Sequence, residues 1–109
     1  METFSFQDPA LLQEAIIRAL REVYDPEIPV DIYELGLIYH IEVSPVGEVK
    51  IVMTLTSAFC PAAQHLPDDV KKAVEAVPGV KSVEVEVTFD PPWDMSRMSE
   101  NARIQLGLL

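Results

Sequence analysis

A chain of 109 residues, 49% of them apolar, has room for one modest core that removes roughly 65% of the surface an unfolded chain exposes, so a single domain over residues 1–109 is expected. The balance of 18 acidic against 8 basic residues leaves a formal charge of −10, a field that repels phosphate backbones and excludes nucleic acid as the natural partner. The lone cysteine, Cys60, excludes an internal disulfide and a self-contained site of four thiolates, and suits a reducing cytoplasm. No apolar run nears the ~18 residues a membrane span needs, and residues 1–7 show no basic-then-apolar secretion pattern, so a cytoplasmic protein is expected.

Asp8-Pro9 reads as a helix cap followed by proline in the first turn. Leu12, Ala15, Ile16, Ala19, Leu20 and Val23 then recur at helical spacing, which predicts an amphipathic helix ending near Tyr24, because Pro26 pushes Asp25 out of the helical region. Residues 25–36 read Asp25-Pro26-Glu27-Ile28-Pro29-Val30-Asp31-Ile32-Tyr33-Glu34-Leu35-Gly36. The prolines bar a regular helix over the first half, and the apolar content predicts an ordered, packed loop with a short helical turn over residues 31–35.

Leu37, Tyr39, Ile41 and Val43 alternate with Ile38, His40 and Glu42, a strand pattern. Ser44-Pro45-Val46-Gly47 is a turn signal, and Val49, Ile51, Met53 and Leu55 alternate beyond it, which predicts an antiparallel hairpin with one apolar face. A loop over residues 56–60 leads to a second helix with Leu66, Val70, Ala73, Val74 and Val77 inward, where Pro67 should kink or restart it. Pro78-Gly79 ends that helix. Val83, Val85, Val87 and Phe89 alternate with polar residues in a third strand, with the apolar set inward, and residues 99–106 suggest a last helical turn or two. Helix, strand, strand, helix, strand is an α/β (α+β) order. Its economical solution is two layers, a three-stranded mixed sheet with helices on one face and a right-handed strand–helix–strand crossover.

Cys60 is the first candidate for chemistry. If Pro61 opens a helix, free backbone N–H groups would stabilise a thiolate at Cys60; equally, a lone cysteine can be a small buried apolar residue. His65 is five residues on, yet a cysteine at a cap and a histidine in the second turn do not face each other. Asp25, Glu27 and Asp31 gather carboxylates in the proline-bearing loop, where they can bind metal, act as bases or tie down turns. Thr54 and Thr56 lead toward Cys60, and Asp90-Pro91-Pro92-Trp93 can seal the core or form a contact surface. His40 lies on the polar face of a strand and receives no role.

Taken together, Asp25-Pro26-Glu27-Ile28-Pro29-Val30-Asp31-Ile32 with Leu35-Gly36-Leu37-Ile38-Tyr39, Thr54-Leu55-Thr56 with Cys60-Pro61, Val77-Pro78-Gly79-Val80 with Phe89-Asp90-Pro91-Pro92-Trp93, and Met98-Ser99-Glu100 with Leu106-Gly107-Leu108 resemble SufT/PaaD-type iron–sulfur cluster assembly proteins. Ala58-Phe59 stand where that family commonly has Pro-Gly, and Glu34 where it has Asp. The absence of further C-terminal cysteines brings the chain nearer to SufT than to PaaD. The resemblance implies an accessory factor in cluster assembly or delivery, without catalytic residues of its own. Cys60 would be a transient metal ligand or contact, and Asp25, Glu27 and Thr56 would be further binding residues. It implies no tightly bound cofactor beyond a transient iron–sulfur cluster, with assembly proteins and client apoproteins as partners. One thiol cannot hold a cluster, so a homodimer joining two Cys60 thiolates is compatible. The competing readings are a thiol-dependent enzyme with Cys60 as nucleophile and an interaction domain in which Cys60 is inert.

Overall fold

The computed structural model describes residues 9–25, 28–56 and 65–107. The first helix, α1, spans Pro9–Leu20; Asp8, its expected cap, lies outside the described residues. Leu12, Ile16 and Leu20 form its buried stripe, each worth about 1.5–3 kcal/mol on full burial. The helix ends earlier than its periodicity suggested. Arg21 N–H still reaches Ile17 O, but Glu22 and Val23 bond only three residues back, to Ala19 and Leu20, the tightening expected where the ladder runs out. Val23 O then accepts from Ile32 N–H at 2.8 Å, and Tyr24 pairs with Asp31 in an isolated antiparallel bridge. The loop takes the backbone groups that a longer helix would have used.

The short helix α2, Ile32–Leu35, is capped by Asp31, whose side chain accepts from Glu34 N–H, and stops at Gly36 with φ +82°, a left-handed value that glycine adopts without penalty. Strands β1 (Ile38–Val43) and β2 (Glu48–Met53) pair antiparallel, with a bulge between Ile38 and His40. The bulge corrects the simple alternation read from the sequence. Ile38 lies opposite Met53 and Ile41 opposite Ile51, so both side chains reach the core face, and Tyr39 is the extra residue.

Helix α3, Leu66–Glu75, buries Leu66, Val70 and Val74. Pro67 sits in its first turn, where a missing N–H breaks no helical bond, so it opens the helix and does not kink it. Strand β3, Ser82–Val87, runs parallel to β2, and the sheet order is β1-β2-β3. Gly47, at φ +90° in the hairpin turn, lies so close to the turn after α3 that a Cβ would stand 2.3 Å from Gly79 O. Its carbonyl also accepts from Lys81 N–H, which sets the start of β3 against β2. α1 packs on β1, α3 on β3, and the two helices on each other, giving the expected mixed three-stranded sheet with its main helices in one layer. Ile51, Met53, Val49 and Val83 face them from the sheet. Val87 and Phe89, expected on the apolar face of the third strand, are 37% and 44% exposed; Val87 ends an edge strand and Phe89 lies past it. A 3₁₀ turn, Met95–Arg97, and helix α4, Glu100–Gln105, follow, and Met98 and Ala102 join the core.

Candidate functional site

The loop between α1 and α2 is a tied structure. Asp25 is 4% exposed, and its Oδ1 accepts from Ile28 N–H at 3.1 Å. Asp25 N–H points to Val30 O, and Val30 N–H donates to Ile28 O at 2.7 Å. Val30 and Ile32 are fully buried beneath the loop. Asp31 is spent on capping α2. Two of the three clustered carboxylates thus fasten turns, the local use to which aspartate side chains are prone. Glu27 lies outside the described residues.

The Thr54–Thr56 stretch begins where β2 ends. Thr54 is buried and its N–H donates to Leu37 O at 2.8 Å, tying the second motif to the segment after α2. Thr56 is half-buried. Residues 57–64 lie outside the described residues, and with them Cys60, its place at a helix start and its accessibility. Among the described residues, no three His, Cys, Asp or Glu side chains converge as a metal site. His65 occupies the cap position of α3, exposed, with Nδ1 2.7 Å from Asp69 Oδ2. His40 is exposed on β1, with Nε2 2.9 Å from Glu42 Oε2. Each histidine is engaged with a carboxylate on or beside its own element.

The C-terminal segment straps the same corner from outside. Trp93 donates its indole N–H to Leu35 O at 2.7 Å, and Tyr39 donates its hydroxyl to Pro91 O at 2.8 Å. The Arg97 guanidinium lies over the Tyr39 ring, 4.7 Å from its centroid. Ser99 N–H donates to Glu34 O at 2.8 Å, and its hydroxyl to Glu34 Oε1. Glu34 also meets Arg21 at 3.4 Å, while Arg21 stands over Tyr33. Asp94 caps the 3₁₀ turn. The Ser96 hydroxyl, then the Ser96 backbone N–H, hold its carboxyl below the ordinary value, against slight desolvation and with help from Arg97. Sequence reasoning singled out Trp93 but missed Glu34, Arg97 and Ser99 as a unit. Their contacts span 52–65 residues of chain for the tyrosine, tryptophan and serine bonds, and no local pattern marks them. Except for Val77–Val80, which lies beside Gly47 at the opposite, hairpin end of the sheet, the motifs read from the sequence meet, in their described parts, around the α2–β1 corner and the adjoining end of the sheet. What this gives chemically is a braced mount for the segments that lead to residues 57–64.

Residues 13–87 match the family model for iron–sulfur cluster assembly proteins. The chain is 52% identical over 97 residues to a Fe-S protein maturation auxiliary factor of Porphyromonas gingivalis, covering 89% of this chain and 92% of that one. It is 46% identical to the Fe-S protein maturation auxiliary factor YitW of Bacillus subtilis, over 89% of this chain and 95% of that one. The crystal structure of a domain of unknown function, DUF59, from Bacillus anthracis superposes with a TM-score of 0.84 at 39% identity, over 93% of this chain and 96% of that one.

Proposed function

Because the chain belongs to the iron–sulfur cluster assembly protein family, we propose that it is an accessory factor that helps iron–sulfur clusters to be assembled or delivered to client proteins, with Cys60 as the transient ligand or contact. The observation that carries this reading is the match over most of both chains to proteins named as maturation auxiliary factors: 89% of this chain aligns with 92% and 95% of those two relatives. The cluster is cargo here. A single thiolate supplies one of the four ligands a cluster takes, so Cys60 works together with a carrier, a client, small thiols or a second copy of the chain. In this reading Asp25, Glu27 and Thr56 are further binding residues. Assembly proteins and client apoproteins are the partners, the reducing cytoplasm is the compartment that suits a lone thiol, and residues 1–109 act as one domain.

The chain has no catalytic centre of its own in this reading. A Cys60 nucleophile would need a base within hydrogen-bond reach; the match to proteins named as maturation auxiliary factors favours the accessory role. Cys60→Ser tests it. The variant should melt in urea within about 1 kcal/mol of wild type, yet fail to restore a cluster-dependent enzyme in cells lacking the wild-type chain. A stable variant that fully restores that enzyme would leave Cys60 inert and the chain an interaction domain.

A further inference from the structure

The sheet has an edge strand on each side, and the edges differ. β1 carries the bulge at Ile38/His40 and has α1 packed on it; a bulge breaks the regular spacing an added strand must match. β3 pairs with β2 in unbroken parallel register from Ser82 to Val87. Ser82 N–H on Gly47 O and Thr88 N–H on Met53 O turn the even-numbered residues toward β2. In a parallel ladder the direction alternates, so the N–H and C=O of Val83, Val85 and Val87 point away from the sheet. Among the described residues β3 has no other strand neighbour.

Two rows of side chains flank this free edge. On the sheet face away from the helices, Glu84 and Glu86 are exposed. Register places Glu84 beside Lys50, with Glu42 beyond it. Lys50 Nζ is 3.4 Å from Glu86 Oε1, and Glu48 completes an acidic surface around this one lysine. On the helix side, Val85 is half-buried and Val87 and Phe89 are exposed. A second copy of the chain does not fit. Antiparallel pairing of β3 with β3 about Val85 would set Glu84 opposite Glu86, and like charges directly opposite are destabilising.

We propose that the free edge of β3 receives an extended segment of a partner protein in which Lys or Arg alternates with apolar residues, by strand addition. The outward backbone groups of Val83, Val85 and Val87 supply the ladder. The basic residues lie beside Glu84 and Glu86, and the apolar ones beside Val85 and Val87. This names what holds a partner, not what is transferred to it, and it stands independently of Cys60.

The test titrates the isotope-labelled full chain with a short synthetic peptide of alternating Lys and Val. The controls are a peptide of alternating Glu and Val and a block peptide with the same Lys and Val content. Amide shifts should be confined to β3 and its neighbours, and exchange at Val83, Val85 and Val87 should slow at least about tenfold at saturation. Val85→Pro removes one outward N–H and no bond to β2, and should abolish that protection. Glu84→Lys with Glu86→Lys, both at exposed positions, should weaken binding roughly three- to tenfold and keeps the test open if the proline variant does not fold. Equal binding of the block peptide, shifts spread over the acidic surface without amide protection, or no binding of the alternating peptide would each overturn the proposal. So would a dimer whose β3 amides are already protected without peptide.

Discussion

Gly36→Ala tests the braced corner most sharply. Two separate penalties meet at that position. The backbone sits at φ +82°, which costs a residue with a Cβ about 1–2 kcal/mol. The Cβ would also stand 2.2 Å from Arg97 O and 2.8 Å from Arg97 C. Those are backbone atoms of the strap, so no side-chain rotation relieves the collision, and overpacking of this kind costs about 1–3 kcal/mol. The expected total is about 2–5 kcal/mol, read as a lowered urea midpoint with an unchanged slope. Gly36→Asn separates the penalties, because asparagine tolerates the left-handed region but carries the same Cβ. It should recover at most about 1 kcal/mol of the loss. A Gly36→Ala loss under about 1 kcal/mol would refute the close approach of the strap. So would near-complete recovery in the asparagine variant.

Trp93→Phe keeps most of the ring packing and removes the donor to Leu35 O; a loss of about 0.5–1.5 kcal/mol in a urea melt is expected, and none at all would show that the indole bond does not hold the strap. Asp94 gives a pH signature. Its folded pKa lies below the ordinary 3.8 because Ser96 holds the carboxylate. Its contribution is therefore present above the unfolded carboxylate value and is lost as pH falls through the folded one. Asp94→Asn should flatten the acid limb of stability below about pH 4, measured as urea midpoints across an acid series; an unchanged limb would contradict the assignment.

The elements that depend on neighbours in sequence were legible in it. Leu12, Ile16 and Leu20 announced α1, Leu66, Val70 and Val74 announced α3, and the Ser44–Gly47 turn announced the hairpin. What failed depended on distant partners. Nothing near Val23 and Tyr24 says that Ile32 and Asp31 will claim their backbone groups and end α1 early. The bulge at Tyr39 follows from its hydroxyl and ring being held by Pro91 and Arg97 and from both Ile38 and Ile41 needing the core face. Alternation puts Val87 and Phe89 on an apolar face, but it does not say how far the strand or the helix layer over it extends. At the candidate site, Asp25, Asp31 and Thr54 were visible as residues, but their tying roles came from geometry. The role of Cys60 rests on the motif that carries it.

If client proteins acquire their clusters with the help of this chain, a client's loading must depend on its presence. The deciding measurement is the iron and acid-labile sulfide per polypeptide of a cluster-dependent enzyme, purified anaerobically from cells with and without the chain. Without the chain the enzyme should be made in equal amount but under-loaded, with full loading returned by the wild-type chain. A fully loaded enzyme from cells that lack the chain would show that it has no part in cluster delivery.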